Sequence, residues 1–384
     1  MKQNKVTQTL ISAMLAFFVM GFVDLVGISV NYVKIDFELS DTLANLLPSM
    51  VFFWFLIFSV PTGLLMNHIG RRKTVVLSLI VTSASLALPI FGYNFGIMLA
   101  SFSLLGIGNT LMQVSINPLM SNIVGKEKLA SYMTFGQFVK AIASFLAPII
   151  AGWAAMKFGN WKLLFPIFMS ISILTTLLLW ITNVDENKGE NIRIKENSSF
   201  KQSATLIKDK FIGIMCHVGI DVGINTTAPK LLMERMALPL ESAGISTSIY
   251  FLFRTIGSLS GAFILSRYPE KIIFRISVLL MVAATILLFV PGNIYTVYGG
   301  IALVGLGNAN IFPIILAGAM AYMPDKKNEV SSLMIMGLFG GTIFPLLMGV
   351  FSDAISSQNG ALSIIALGVL YLIFFASKQK MKQL

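Results

Sequence analysis

Apolar positions in this chain come in long runs separated by short polar segments. Each run has roughly the length that a helix needs to cross a hydrocarbon layer, about 20 residues. The runs predict helices over 10–33, 45–66, 74–92, 95–122, 131–156 and 162–182, and again over 211–233, 243–266, 272–291, 295–322, 329–352 and 360–377. One longer polar stretch, from Asn183 to Lys210, separates the two sets. The pattern predicts an all-α membrane protein of twelve transmembrane helices. They fall into an N-terminal six-helix bundle (1–182), a cytoplasmic linker (183–210) and a C-terminal six-helix bundle (211–384).

The two sets repeat one another. Gly106-Ile107-Gly108-Asn109 recurs as Gly305-Leu306-Gly307-Asn308, 199 residues later. Ala147-Pro148 with Gly152 recurs as Phe344-Pro345 with Gly349, Gly63 answers Gly261, and Asp24 answers Asp221 at an offset of 197. Two six-helix halves in one orientation are the plan of large secondary transporters, whose sites lie near the bilayer midplane.

Composition agrees with the pattern and narrows it. Of the 384 residues, 56% are hydrophobic and 12% charged, against about a quarter charged in soluble domains. The net charge of +11 sits mostly in short inter-helix segments, which is the positive-inside bias rather than a nucleic-acid surface. The more basic side holds Lys2, Lys5, Arg71, Arg72, Lys73, Lys126, Lys128, the linker, Arg267, Lys271, Arg275, Lys326, Lys327 and the C-terminal lysines. Both termini are therefore expected on the cytoplasmic side of a bacterial inner membrane, with Lys157 and Lys162 as exceptions. The first apolar run is too long for a signal-peptide core and is expected to be retained.

Soluble-enzyme chemistry is not expected. There is no Gly-x-x-x-x-Gly-Lys loop for ATP, and two histidines and one cysteine, Cys216, cannot build a standard zinc site. No cofactor and no metal are expected. The partners expected are a small solute, a proton and the lipid bilayer, with the chain a monomer.

The residues that stand out are ionisable groups inside apolar runs. A carboxylate at bilayer depth costs about 2.5–3.5 kcal/mol on insertion scales, and such groups mark solute paths or proton relays. Asp24 and Asp221 are the proton-coupling candidates, with His217 one turn before Asp221 as a possible relay; structural pairing between helices is the alternative for each. Lys140 and Arg254 also lie within predicted spans, too far from the ends to snorkel easily. They either neutralise the two acids or grip an anionic solute.

Amides form the other set. Asn109, Gln113 and Asn117 share one face of the fourth predicted helix, with Asn308 and Asn310 in its repeat partner and Gln137 and Asn225 nearby in pattern. Amides suit hydroxyl-rich solutes, and they equally hold membrane helices together. Trp54, Trp153 and Trp161 lie in or near spans, where sugar stacking and an interfacial anchor are both open readings.

The segment Gly63-Leu64-Leu65-Met66-Asn67-His68-Ile69-Gly70-Arg71-Arg72-Lys73, placed in the loop after the second helix, resembles the signature loop of the major facilitator superfamily. Gly63, Gly70, Arg71 and Arg72 match, while Asn67 and His68 replace the central acid and base, so a gating salt bridge from that acid is not implied. Pro61-Thr62-Gly63, Asn117-Pro118, Gln137 and Gly219-Ile220-Asp221-Val222 are similar to the fucose/glucose/galactose:proton symporter branch. The resemblance implies a major facilitator fold and proton-coupled sugar import. The branch's Asn-Asp pair late in the first helix falls here on Gly27-Ile28, and its Glu before Asn-Pro falls on Gln113. Its proton-handling acids are therefore not inherited, and Asp24 lies one turn before Ile28.

The leading expectation is a secondary transporter moving a small polar solute, a sugar or sugar derivative that is neutral or anionic, together with protons by alternating access. Its cavity is expected between helices 1, 4, 5, 7, 8, 10 and 11. The rivals are an organic-anion carrier, an exporter of amphipathic compounds, and a membrane receptor without transport.

Overall fold

The computed structural model describes residues 2–124, 126–182, 208–265, 267–290, 292–322 and 327–378. Twelve helices in it are long and apolar enough to cross a membrane. In the first half they are α1 (Gln8–Asp36), α2 (Asp41–Met66), α3 (Arg71–Phe91), α4 (Phe95–Met120), α5 (Phe135–Phe158) and α6 (Trp161–Ile181). In the second half they are α7 (Lys208–Met236), α8 (Leu240–Leu265), α9 (Glu270–Phe289), α10 (Ile294–Ala319), α11 (Leu333–Ile355) and α12 (Asn359–Ser377). Among the described residues there is no strand. This follows from the solvent: in hydrocarbon each backbone group must be bonded within its own segment, which a helix achieves.

The expected spans agree with these to within a few residues, and interruptions come in addition, among them turns at Asn45 in α2 and Gly244 in α8. A 3-10 stretch, Gly21–Leu25, breaks α1; a turn at 309–310 breaks α10; a second 3-10 stretch, Gly337–Phe339, breaks α11. The segment expected as a loop after the second helix is mostly helical, because the helix runs unbroken to Ile69. Only Gly70 makes the turn, at φ 91°, a conformation that favours glycine. Residues 183–207 of the expected linker lie outside the described residues.

Packing divides the described chain into two compact units. One takes in residues up to Val26 and from Phe53 to Thr182; the other takes in Gly27–Phe52 and the residues from Lys208 onward. The covalent repeat and the packing therefore part company within α1, directly after its 3-10 stretch, and within α2.

Each unit uses the same helix pairings. In the first, α1 packs on α5, and α3 packs on α4 and α6; in the second, α7 packs on α11, and α9 packs on α10 and α12. The repeated Gly-x-Gly-Asn explains one of these pairs. A Cβ on Gly108 would lie 2.6 Å from Thr82 Oγ1, and one on Gly307 would lie 2.7 Å from the Ser277 carbonyl oxygen. Glycine there lets α3 meet α4, and α9 meet α10, at backbone distance. Asn94 and Asn293, again 199 residues apart, cap α4 and α10 by accepting from the Ile97 and Thr296 amides.

The N-terminal α1–α2 hairpin is tied into the second unit by a polar knot. Asp41, 7% exposed, accepts from Lys34 Nζ at 2.8 Å, Lys230 Nζ at 2.7 Å and Gln358 Nε2 at 2.7 Å. Asp353 accepts from the Asp41 and Thr42 amides, both at 2.8 Å, at the N-terminus of the short helix Asp41–Ala44. A carboxylate suits that end of a helix. The helix expected over 211–233 continues to Met236, and Lys230 lies in its last turns, 6% exposed.

Candidate functional site

The strongest polar cluster in the second unit centres on Asp221 in α7. Arg254 of α8 reaches its Oδ2 at 2.9 Å. Tyr250, one turn before Arg254 and fully buried, donates its hydroxyl to Asp221 Oδ1. Asn308 of α10 donates its amide to Tyr250 Oη and to the His217 carbonyl, both at 3.3 Å. With the amide so oriented, Asn308 Oδ1 accepts, and His217 Nδ1 donates to it at 2.8 Å. His217 therefore reaches Asp221 through Asn308 and Tyr250, not by a direct bond across one helical turn. Tyr250 was missed in the sequence; its only signal is the four-residue spacing from Arg254, which puts both on one face.

The first unit carries the counterpart around Asp24, inside the 3-10 stretch of α1. Asp24 Oδ2 accepts from Ser144 Oγ of α5 at 2.6 Å. Asn109 of α4 donates its amide to the Met20 carbonyl at 2.8 Å, and Gln113 donates to Asn109 Oδ1 at 2.8 Å. The two halves thus share one motif. Asn109 bonds the carbonyl four residues before Asp24, and Asn308 bonds the carbonyl four residues before Asp221. A 3-10 stretch shifts backbone bonding toward i−3 and leaves such a carbonyl a partner short.

The acids differ in what completes them. Asp221 has a guanidinium and a phenol; Asp24 has the Ser144 hydroxyl. Lys140 lies one turn before Ser144, and among the described residues no carboxylate comes within ion-pair distance of it.

The other expected site residues lie in varied settings. Asn310 donates to the Gly257 carbonyl at 3.0 Å and fills the space beside Gly261. Asn225, 3% exposed, sits against Gly27, and its carbonyl accepts from Thr247. Asn310 thus joins two helices through its side-chain amide. Gln137 is exposed on α5. The side chains of Asn67 and Asn117 lie outside the described residues.

The arginines after Gly70 close helix ends. Arg71 donates to the Pro118 carbonyl at 3.2 Å, and Arg72 donates to the Leu179 and Trp180 carbonyls in the last turn of α6. Cations stabilise the C-terminal ends of helices, where carbonyls are unpaired. Gly63 lies within the helix, with open space beside it. Among the described residues no group of three or more His, Cys, Asp or Glu gathers to hold a metal ion.

Comparison with known proteins assigns this architecture. The Major Facilitator Superfamily profile matches residues 9–229 and again 210–382. A glucose/galactose transporter of Brucella abortus biovar 1 (strain 9-941) is 26% identical over 374 residues, covering 90% of this chain and 88% of that protein. A hexuronate transporter of Bacillus subtilis (strain 168) is 24% identical over 363 residues, covering 87% of this chain and 85% of that protein. The crystal structure of the E. coli fucose:proton symporter superposes with a TM-score of 0.69 at 16% identity, over 97% of this chain and 98% of that one. With twelve apolar helices, an internal repeat and a family profile matched over nearly its full length, the chain belongs to the Major Facilitator Superfamily and is an integral membrane transporter, not an enzyme.

Proposed function

We propose that the protein is a secondary active transporter that moves a sugar or sugar derivative together with protons by alternating access. The observation that carries the reading is the Asp221 cluster. A carboxylate at bilayer depth is joined to Arg254, Tyr250, Asn308 and His217 through side-chain contacts on three helices. Adding a proton to Asp221 removes the charge that holds Arg254, so protonation and side-chain rearrangement are linked at one place. A solute that binds better to one arrangement then shifts the equilibrium between the two. The twin motif at Asp24 supplies a second ionisable group of the same geometry.

The names of the relatives supply the solute class: glucose and galactose in one case, hexuronate in another, and fucose with protons in the structural neighbour. The charge pattern of the loops supports cytoplasmic termini in a bacterial inner membrane, and a monomer suffices for a carrier of this plan.

The test is uptake into proteoliposomes with and without an inward proton gradient. Accumulation above the outside concentration, together with alkalinisation outside, is expected for a hexose or hexuronate. A protein that only equilibrates the solute and moves no protons would be a facilitator, and the coupling reading would be abandoned. An exporter of amphipathic compounds would instead show efflux of apolar dyes and no sugar flux.

A further inference from the structure

Two cations lie within apolar spans, Arg254 fourteen residues into α8 and Lys140 five residues into α5, and their surroundings differ. Arg254 is held by Asp221 at 2.9 Å. Lys140 lies fourteen residues into the helix Lys126–Phe158. Lys140 takes no part in the ion pairs Lys34–Asp41, Lys230–Asp41 and Arg254–Asp221. The nearest acid in the motif, Asp24, accepts a hydrogen bond from Ser144 Oγ at 2.6 Å.

The face on which Lys140 stands shows what surrounds it. Phe135, Ile142, Ile149 and Trp153 are exposed large apolar residues spaced seven, seven and four apart, so they form one ridge along α5. Such a ridge suits lipid. Lys140 stands two residues before Ile142, about 200° around the helix at 3.6 residues per turn. Gln137 and Ser144 flank it at spacings of three and four, on its own side. Gln137 is exposed and Lys140 is partly exposed. A polar strip with an accessible ammonium and an accessible amide therefore runs opposite the lipid ridge. Its neighbouring edge is packed, since Gly136 and Ala143 lie against Phe17 and Gly21 of α1.

A partly exposed ammonium on the helix face opposite the apolar ridge, with no carboxylate of the described residues in ion-pair distance, is placed to take its counter-charge from the solute. We infer that Lys140 is the specificity-determining residue for a carboxylate on the transported molecule, with Gln137 beside it for a hydroxyl. The substrate class is then a hydroxylated organic acid, a sugar acid in preference to the neutral sugar. The inference deepens the transport reading above and rests on it. The amide of Gln137 offers both donor and acceptor to a hydroxyl, and the Lys140 ammonium offers three donors to a carboxylate.

The test compares glucuronate with glucose in proteoliposomes, using wild-type protein, K140Q and K140R, each checked for a monodisperse elution profile and an unchanged melting temperature. Wild type is expected to take up glucuronate in preference to glucose. K140Q is expected to raise the apparent KM for glucuronate by roughly 10- to 100-fold, the worth of one charge-assisted hydrogen bond, with little change in kcat. K140R is expected to restore most of the affinity. A KM for glucuronate within about twofold of wild type in K140Q would overturn the assignment. Should the variants fail to fold, competition on the wild-type protein decides: glucuronate is expected to inhibit labelled uptake, and its uncharged methyl ester is not. Equal inhibition by the ester overturns the proposal. Uptake of glucose with exclusion of glucuronate overturns it too and leaves sugar transport standing, whereas absence of flux for both sugars removes the transport reading itself.

Discussion

At the scale of single residues, the two halves carry an acid at matched positions, Asp24 in a 3-10 stretch and Asp221 in a continuous α-helix, and give it different company. Asp221 faces a cation and a phenol, and Asp24 faces a hydroxyl. Asp221, paired with Arg254, is the first coupling candidate to test. Asp221→Asn keeps the shape and removes the titratable group. It is expected to lower the proton-driven accumulation ratio to about 1, passive equilibration, while solute counterflow persists. Uptake with an imposed pH gradient, compared with counterflow at equal pH, measures both. The asparagines make a second prediction. Asn109→Ala removes the bond to the Met20 carbonyl of the neighbouring helix, a kind that averages about 0.6 kcal/mol, and the bond from Gln113 within its own helix. Asn308→Ala removes bonds to His217 and Tyr250 together and is expected to lower the melting temperature in detergent more than Asn109→Ala does.

At the scale of elements, the end of α1, the start of α2, α7 and α11 converge on Asp41. One buried carboxylate receives two ammonium groups and an amide, so the knot holds only while all its members are present. Removing one partner of a buried pair costs about 3–5 kcal/mol, because the remaining charge is stranded. Lys230→Met alone is therefore less damaging than Asp41→Ala: it leaves Asp41 paired with Lys34, whereas Asp41→Ala strands the buried Lys230. Replacing Asp41 and Lys230 together by apolar residues is expected to recover part of the loss. Melting temperatures of the two single variants and the double variant form the cycle; strict additivity would argue against the pairing as an energetic unit. The same knot explains why Gly27–Phe52 pack with the second unit although their sequence repeats within the first.

At the scale of the whole molecule, the charge asymmetry of the loops sets an orientation that can be read directly. Glu38 lies exposed in the α1–α2 turn and Arg267 lies exposed in the α8–α9 turn. Cys216 is buried, so the natural thiol contributes little background. Glu38→Cys in intact cells is expected to react with a membrane-impermeant maleimide, and Arg267→Cys only after the membrane is opened. The reverse pattern would invert the topology, since the basic loops would then face outward.

The chain's own letters were enough for the twelve spans, the internal repeat, and the acids and amides at matched depth. Those follow from local physics: a membrane helix must be apolar along its length, and every intramembrane charge stands out against it. Distances between helices decided the remainder. Nothing in the apolar run around Asp24 marks the 3-10 turn that holds it. Nothing near Arg254 says that it, and not Lys140, takes the ion pair with a matched acid. Tyr250 became part of the site only because α8 sets its hydroxyl against Asp221. Lys230 and Asp41 read as charges at helix ends and proved to be a buried pair 189 residues apart. Partner choice between distant polar groups depends on which helices touch, and that is a property of packing rather than of any one segment.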